Sequence, residues 1–434
     1  MKKFPSGFCK IQKMGAGYSQ PPRGFHYSSA VDSMMNQRID PDIDDDKVQF
    51  SSYKELFCHN FSIEATLPYL AEYQPQSQSF RFISYGDAYK LCIGMYNSIR
   101  ALGVASGETI ALYGKETLSK HILSDAAFLF GLSFVSSSPS IQTQQDFVNT
   151  MNELNIKKVF CDRELVGTSS KYSKIQFIQY PDLRSSANVQ GDPLNGSFQM
   201  FCPFDPSVRI TENGSLDSLK VWAKKLKICR DSRIGSCLSI GSNFERLLRM
   251  VVVSERSMIF IANGFEIMKE LNPTHIAAQT KYFIELGKSI QNNVATRGFM
   301  FKTKYAPLYW WKNVKISLGG TSELSDNQVF NHLRQPLGPD HRFFLCDGSL
   351  DEEVMDLLTV SYAKPISSVF VPFQWGNFGT YHPLDPRFTK YGTYGGPVGC
   401  SITINENGIC CDKSSSEIPM ICEWDEEGAL KIKL

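Results

Sequence analysis

The polar stretch SVRITENGSLDSLK (207–220) has the length and polarity of an anion-binding loop. A phosphate-binding loop needs several glycines, so that backbone N–H groups can approach the oxygens, and usually a nearby cation. This stretch has one glycine, Gly214, and the carboxylates of Glu212 and Asp217 repel phosphate. We therefore expect it to bind no triphosphate.

The histidines, cysteines and serines do not show the spacing of a known metal-binding or catalytic motif. The seven histidines show no H-x₃-H pattern, so no metal site is expected, and no G-x-S-x-G elbow is present. The twelve cysteines form no C-x-x-C pair, and Cys410 and Cys411 are adjacent. We predict unpaired, mostly buried thiols in a reducing compartment. The histidines are His26, His59, His121, His275, His332, His341 and His382.

Composition sets broad limits. The chain has 434 residues, 42% of them hydrophobic and 21% charged, which suggests about two or three domains. A net charge of +1 favours no nucleic-acid partner, and no apolar run reaches the roughly 18–20 residues of a membrane span. Residues 1–31 carry five basic residues and no acid, which fits either a mitochondrial presequence or a basic arm on the domain. The cluster DPDIDDDK (40–47) indicates a solvated linker.

The elements that must position any site alternate between strand and helix patterns. Short turns join them, which is typical of a parallel sheet with helices on its faces. Predicted helices are 51–61, 85–102, 117–131, 142–155, 243–255, 264–271, 281–291 and 327–337. Predicted strands are 81–84, 108–114, 132–138, 157–162, 174–180, 257–263, 274–279, 314–320 and 341–348. The ends 399–410 and 422–434 have hairpin patterns.

Two aromatic segments stand out. APLYWW (306–311) is either core, an interface anchor or the lining of an acyl pocket. FVPFQWGNFGTYHPLDPRF (370–388), with few charges, is interpreted as an ordered loop and a candidate protein-contact surface.

In order and spacing, the chain from about residue 20 onward resembles the long-chain acyl-CoA synthetases of the adenylate-forming superfamily. ISYGDAYKLCIGMYNSIRALGVASGETIALYG (83–114) is similar to the opening of that family. The run from Phe244 to Gln291, FERLL…GKSIQ, looks like its ER-containing segment. ISLGGTSEL (316–324), GGPVGCSITI (395–404) and the hairpin DEEGALKIK (425–433) resemble three further family elements.

The resemblance implies a reaction that this chain is poorly equipped to perform. The family activates a carboxylate with ATP and Mg²⁺ and then transfers the acyl group to coenzyme A. Its phosphate loop, rich in glycine and hydroxyl residues and ending in P-K-G, precedes the ER helix. The corresponding region, 200–242, contains no such loop. We expect no catalytic residue and no metal ligand, and no cofactor unless the chain is active with ATP, Mg²⁺ and coenzyme A.

A second family motif, Y-G-x-T-E, corresponds to DGSLD (347–351). Gly348 remains, and the resemblance makes Asp351 the candidate for the acid that serves magnesium. Asp347, however, stands where the resemblance implies a tyrosine stacked on adenine, and a carboxylate offers no π-face. Leu350 replaces the hydroxyl residue.

Gly319, Gly320 and Thr321 are what the resemblance leaves of the adenine platform. The alternative is that the two glycines only permit a tight strand-to-helix turn. With Gly348 and Asp351 these residues are the candidate vestigial nucleotide site. The family's ribose-binding aspartate and its lid domain with a catalytic lysine come later than Leu434, and we expect this chain to lack them.

The predicted fold is an α/β, acyl-CoA synthetase-like large domain without the small lid. We expect an arm and linker (1–50), two α/β subdomains (51–205 and 206–390) and a β-rich end (391–434). The favoured function is an inactive scaffold or interaction subunit with protein partners, in a mitochondrial complex or elsewhere inside the cell. The alternatives are a long-chain fatty acid–CoA ligase and a non-catalytic protein that binds fatty acid, acyl-CoA or nucleotide.

Overall fold

The computed structural model describes residues 30–32, 37–39, 50–105, 108–139, 141–167, 174–183, 198–205, 207–211, 216–320, 322–384, 393–406, 408–414, 417–425 and 429–432. The first part of the chain alternates strands and helices. Its elements are β1 (Ala30–Asp32), β2 (Gln37–Ile39), α1 (Tyr53–Ile63), β3 (Pro68–Gln74), β4 (Ser79–Ser84), α2 (Tyr85–Ala101), β5 (Thr109–Tyr113), α3 (Leu118–Phe130), β6 (Ser133–Ser137), α4 (Gln144–Glu153), β7 (Lys158–Cys161), α5 (Arg163–Val166), β8 (Gln176–Gln179), β9 (Gln199–Phe201) and β10 (Arg209–Thr211).

The remaining part continues this alternation and ends in short β-strands. Its elements are α6 (Asp217–Leu226), β11 (Arg233–Cys237), α7 (Asn243–Glu255), β12 (Met258–Ile261), α8 (Met268–Leu271), β13 (His275–Gln279), α9 (Thr280–Thr296), α10 (Phe299–Ser317), α11 (Glu323–Gln328), β14 (Phe343–Asp347), α12 (Glu352–Tyr362), β15 (Ile366–Phe370), β16 (Gly379–Tyr381), β17 (Gly396–Val398), β18 (Ser401–Asn405), β19 (Gly408–Cys411), β20 (Glu417–Ile418), β21 (Cys422–Trp424) and β22 (Leu430–Ile432). Single 3₁₀ turns occupy Phe330–His332 and Phe373–Trp375.

Two large sheets organise these elements. The six-stranded sheet has the order β10-β9-β6-β5-β7-β8 and is parallel except at β10. The nine-stranded sheet has the order β17-β16-β15-β14-β13-β11-β12-β3-β4 and is parallel from β15 to β3. A five-stranded sheet, β1-β2-β18-β19-β20, and the β21–β22 hairpin complete the β-rich end. The predicted α/β class is confirmed.

Alternating side chains bury both faces of each large sheet. In β5, Ile110 and Leu112 join the largest apolar cluster, whereas Ala111 and Tyr113 join the cluster under α4. The largest cluster fills the layer between the two sheets, where α1, α2, α3, α6 and α7 pack. A parallel sheet covered on both faces requires this alternation, because successive side chains of a strand point in opposite directions.

Strand pairing crosses the expected subdomain boundary. β3 and β4 lie early in the chain but belong to the nine-stranded sheet, with Ile259, Phe260 and Ile261 of β12 paired to β3. β10 follows residue 205 but pairs with β9 in the six-stranded sheet. The domain limits therefore stay a prediction, although the sheets show how the two halves are joined.

Three local predictions were wrong. The predicted strand 314–320 belongs to α10 and the turn after it, and β13 pairs directly with β14, which leaves no gap in the ladder for that strand. Instead of a helix over 327–337, the chain forms α11 and a 3₁₀ turn, and of 264–271 only α8 is helical. Val314 and Ile316 gave a β-like pattern, but burial of Tyr305, Lys312 and Ile316 on one helical face prevailed.

The segment 370–388 is also different from its interpretation as a contact surface. Its described part contains the end of β15, a 3₁₀ turn and β16, and its aromatic side chains Trp375 and Phe378 are buried in the cluster of the β-rich end. Residues 385–388 lie outside the described ranges. Buried rings are not available to a partner, so this segment stabilises the fold.

Replacement of a buried tryptophan measures how much this packing contributes. Trp222 on α6 is fully buried and its indole N–H donates to the carbonyl of Asn377 at 2.8 Å, so Trp222→Ala should destabilise folding by about 3–5 kcal/mol. Trp310→Ala is the matched control, since that ring is half exposed, and we expect a change below about 1 kcal/mol. Urea unfolding followed by circular dichroism measures both, and equal losses would contradict the described packing.

Candidate functional site

The two glycines of the candidate adenine platform lie at the exposed end of α10. Gly319 has φ +78°, a left-handed conformation that favours glycine. Its N–H donates to Ile316 at 2.9 Å, and the N–H of Gly320 donates to Lys315 at 2.8 Å. The turn therefore leads out of a helix, where a strand-to-helix turn was expected, and both N–H groups cap that helix. Thr321 lies outside the described residues.

The second pair of candidate residues follows β14. Gly348 has φ +111°, its N–H donates to the carbonyl of Val369 at 3.1 Å, and an added Cβ would lie 2.6 Å from the hydroxyl of Thr280. Asp351 is the exposed N-cap residue of α12, and its side chain makes no capping hydrogen bond. No described hydrogen bond joins this pair to Gly319 or Gly320.

Asp347, at the end of β14, occupies the position of the expected stacking aromatic. Its Oδ2 accepts a hydrogen bond of 2.6 Å from the hydroxyl of Ser242, the N-cap residue of α7. Burial raises the pKa of Asp347 to about 6, although the bond from Ser242 opposes the shift. Leu350, in the place of the hydroxyl residue, is buried. This edge of the sheet therefore presents a carboxylate and an apolar side chain.

The loop that opened the sequence analysis is described only at its two ends. Residues 209–211 form β10, and α6 begins at Asp217. Gly214 and Glu212 lie outside the described residues, so the absence of triphosphate binding stays a prediction.

A buried ionic network joins α3 to α7 in the layer between the two sheets. The guanidinium of Arg249 lies 2.7 Å from the carboxylate of Asp125 and 3.5 Å from that of Glu245. It also donates to the carbonyl of His121 at 3.2 Å, and Asp125 accepts from the hydroxyl of Tyr69 at 3.1 Å. We call Glu116, Lys120, His121, Asp125, Glu245 and Arg249 the α3–α7 network.

Lys120 and Glu116 form the other half of this network. The Lys120 ammonium is fully buried and lies 2.7 Å from Glu116, and it donates to the carbonyls of Gly114 and Ser137 at 3.1 and 2.9 Å. Glu116 also accepts from Ser239 at 2.9 Å, which ties α3 to the loop before α7. All three ammonium protons thus have acceptors, as a buried lysine requires.

The pKa values of the two glutamates in the network shift in opposite directions from their ordinary value. Burial alone would raise the pKa of Glu116, but Lys120 and His121 lower it to about 2. Burial raises the pKa of Glu245 to about 7, although Arg249 opposes this shift. Burial and Arg249 lower the pKa of His121 to about 3, so that this imidazole is neutral at physiological pH. At neutral pH Glu116 is therefore ionised, and the His121 imidazole beside it is neutral.

Next to the network, Arg246 is buried without a carboxylate partner among the described residues. Its guanidinium donates to the side-chain oxygens of Asn243 and Asn377 at 2.8 and 2.6 Å, and burial lowers its pKa to about 10. It lines a cavity of about 10 Å³, together with Tyr53 and Asp125. That volume admits about one water molecule, which is far too little for an acyl chain or a nucleotide.

Sequence reasoning identified the eroded motif positions but missed the network. Its signal was present, because Glu116 and Lys120, and likewise Glu245 and Arg249, are four residues apart and so share a helical face or turn. A polar i, i+4 pair usually indicates an exposed helix face. These two pairs are buried because their helices lie between the two large sheets, which the sequence alone does not reveal. The described ranges contain no cluster of His, Cys, Asp and Glu suited to a metal ion, and no helix in them is long and apolar enough to cross a bilayer.

The architecture is that of the adenylate-forming, acyl-CoA synthetase-like proteins. No protein-family model matches the sequence. The N-terminal domain of FACL13 from Mycobacterium tuberculosis is similar with a TM-score of 0.62 and 14% identity, covering 88% of this chain and 99% of that one. O-succinylbenzoate coenzyme A synthetase (MenE) from Bacillus subtilis in complex with AMP has a TM-score of 0.62 and 12% identity, covering 87% of this chain and 77% of that one. VinN in complex with L-aspartate has a TM-score of 0.61 and 10% identity, covering 88% of this chain and 98% of that one. Identities this low establish a shared fold.

Removing one cation from the network should be costly. Arg249→Met leaves Asp125 and Glu245 buried beside an apolar side chain, and we expect a loss of about 3–5 kcal/mol in the free energy of unfolding. Lys220→Met is the matched control, because Lys220 pairs with Glu255 at 3.0 Å on the exposed side of α6 and α7. The control should lose less than about 1 kcal/mol in urea unfolding. A loss below 1 kcal/mol for Arg249→Met would show that the network is not intact.

Asp347 makes stability depend on pH with a definite sign. Its pKa is higher in the folded chain than the ordinary 3.8, so ionisation opposes folding. Relative to Asp347→Asn, the parent chain should lose about 2–3 kcal/mol as pH rises from about 4 to about 7, and the difference should level off above that. Asp351→Asn makes the same change on an exposed side chain and is the control for the substitution itself. Urea midpoints between pH 4 and pH 8 test this, and a loss on acidification would reverse the sign.

Proposed function

We propose that the chain is a catalytically inactive protein with the adenylate-forming fold and acts as a structural or interaction subunit. The compartment is part of the proposal: the acid-poor N-terminal residues are compatible with a mitochondrial assembly, and the alternatives are the cytoplasm and the periphery of an organelle membrane. The relatives named above include coenzyme A synthetases, so the proposal holds that this chain has the scaffold of such an enzyme without its chemistry.

The proposal rests on the presence of a partly buried carboxylate, Asp347, at the position where the resemblance implies an aromatic side chain stacked on adenine. An adenine ring needs a flat, apolar partner, and the carboxylate here is held by Ser242 at 2.6 Å. Its charge also repels a nucleotide phosphate once it ionises above about pH 6. The backbone donors at Gly319, Gly320 and Gly348 are used by the protein itself. At the described positions, therefore, the residues do not fit ATP, and we derive no reaction step from it.

The layer between the sheets supports the same conclusion. An acyl-binding protein needs an apolar tunnel, whereas this layer holds the α3–α7 network, Arg246 and closely packed rings. Phe128 and Phe198 stack at 3.9 Å, and Phe57 and Phe61 meet edge to face at the same centroid distance. Charged groups and aromatic contacts of this kind favour a rigid interior.

A ligand panel tests the proposal on the full chain. We expect no change in melting temperature with ATP and Mg²⁺, AMP, coenzyme A or palmitate, and no pyrophosphate release when fatty acid and ATP are combined. The B. subtilis O-succinylbenzoate coenzyme A synthetase, known in complex with AMP, is the control that must respond to AMP in the same assay.

Each positive result identifies a rejected alternative. A shift with palmitate or nucleotide alone would establish the non-catalytic binding protein. Fatty acid-dependent pyrophosphate release would establish the ligase, with ATP, Mg²⁺ and coenzyme A as its cofactors. Size determination of the native particle from cells is the complementary measurement, since a subunit should migrate far above the 48.9 kDa of one chain, and a free monomer would contradict that role.

A further inference from the structure

Large apolar side chains are exposed together along α10. Phe299 is 81% exposed, Met300 76%, Trp310 46% and Trp311 42%, and Leu318 just after the helix is 76% exposed. Single exposed apolar residues are normal on a protein surface, but a contiguous set marks a binding surface. Six other large hydrophobic residues in the described ranges are 46–72% exposed, and they lie outside α10, namely Ile63, Phe82, Leu102, Phe204, Leu324 and Ile421.

These side chains share one face of the helix. Met300, Pro307, Trp311 and Leu318 are separated by seven, four and seven residues and form one row along the helix. Phe299 and Trp310 lie on one flank of this row, about 80–100° around the helix axis, and Val314 lies between them and the row. Residues at such intervals line one side of an α-helix. The 19 residues of α10 span about 28 Å, so the apolar face is long enough to lie along a flat surface. We call Phe299, Met300, Trp310, Trp311 and Leu318 the α10 face.

The opposite side of α10 is firmly held by the domain. Tyr305 and Ile316 are buried, and the fully buried ammonium of Lys312 lies 2.6 Å from Asp326 and donates to the carbonyl of Ser361 at 3.0 Å. It also lies 4.3 Å from the centre of the Phe330 ring. These contacts fix the rotation of α10, so the exposure of the α10 face is a consequence of how the helix is anchored.

The exposed charges carried by α10 itself have one sign. Residues 286–322 contain no aspartate or glutamate and carry six basic residues, of which Lys312 is buried and paired with Asp326; the other five are Lys288, Arg297, Lys302, Lys304 and Lys315. Lys304 and Lys315 border the face, and the ammonium of Lys315 lies 5.0 Å from the centre of the Trp311 ring. Within the described residues, no carboxylate lies within 4 Å of the ammonium groups of Lys302, Lys304 or Lys315.

We propose that the α10 face docks the protein on the surface of an anionic lipid bilayer. Tryptophan, phenylalanine and methionine on one side, with lysines at the border, are what an interfacial helix presents to acyl chains and to negatively charged headgroups. The lysine stems are long enough to place their charges among the headgroups while the rings enter the apolar boundary. Trp310 and Trp311 are side chains that favour this boundary.

Charge also argues against a second copy of this chain as the partner that covers the α10 face. In a two-fold dimer the same patch lies on both subunits, so Lys304 and Lys315 of one copy would face the lysines of the other. Like charges held together at an interface oppose association. The basic N-terminal residues are likewise of the wrong sign to cover this face. A bilayer containing phosphatidylserine supplies the missing negative charge.

Vesicle flotation of the full chain tests this proposal. We expect at least tenfold stronger partitioning onto phosphatidylcholine vesicles with 30% phosphatidylserine than onto pure phosphatidylcholine, and loss of the difference in 0.5 M salt. Trp310 and Trp311 should be quenched by brominated lipid in the bound state, whereas Trp222 and Trp375, which are buried, should not. No nucleotide is involved, so the outcome is separate from the test of inactivity.

Matched variants locate the contact. Trp310→Ser with Trp311→Ser, and separately Lys304→Glu with Lys315→Glu, should each lower partitioning at least tenfold. Phe204→Ser and Lys90→Glu make the same changes on exposed side chains elsewhere and should stay within twofold. Unfolding midpoints close to those of the parent chain confirm that the variants are folded.

Three results would overturn the proposal. The first is binding that does not depend on phosphatidylserine. The second is binding that survives both α10 variants but is lost when Lys2, Lys3, Lys10, Lys13 and Arg23 are changed to glutamine. The third is concentration-dependent dimerisation, abolished by the tryptophan variant, which would make the α10 face an interface between copies.

Discussion

The contact between Arg249 and Asp125 is the interaction on which the central layer depends. It joins α7 to α3, and those helices lie between the two large sheets, so a change in it affects the packing of both. In a layer closed to water, a guanidinium without its carboxylate is far more costly than an exposed one. Tyr69 donates to Asp125, and Arg249 also contacts His121 and Glu245. The Lys120–Glu116 pair extends the network to the loops at the sheet edge. An interior of this kind is specified by charge as well as by shape.

Much of the fold could be predicted from local patterns. The helices at 53–63, 118–130 and 243–255 were recognised because their apolar residues recur at helical spacing, and Gly131 ends α3 in a left-handed conformation as expected. Strands such as β5 and β6 were recognised from short, buried-type runs between turns. The predicted secondary structure was wrong where tertiary contacts determine the conformation of a segment. In α10, a β-like run around Val314 is helical because Lys312 must reach Asp326 and Ser361.

Expectations about the candidate site came from the resemblance to a family, whereas those about the fold came from local sequence patterns. The resemblance assigned Asp347, Gly348 and Gly319 to motif positions from their order along the chain, and those roles stay predictions. Where Gly319 and Gly320 lie did not follow, because their turn was assigned to a strand that does not exist. The partners of Asp347 and Arg249 come from elements about a hundred residues away, and no single-sequence pattern encodes such pairs. What a lone sequence predicts well is therefore the type of a segment, and what it predicts poorly is its neighbours.

The place of β3 and β4 in the nine-stranded sheet has a consequence for synthesis on the ribosome. The six-stranded sheet can close as soon as β10 has emerged, but β3 must wait for β12, which ends roughly 190 residues after it, before it gains its parallel partner. At about 5–20 residues per second this interval lasts about 10–40 s. During that time the hairpin has an open edge and an apolar face, which is the state that chaperones recognise and that aggregates when it is left alone. The nascent chain should therefore depend on a holding factor before it depends on any partner of the finished protein.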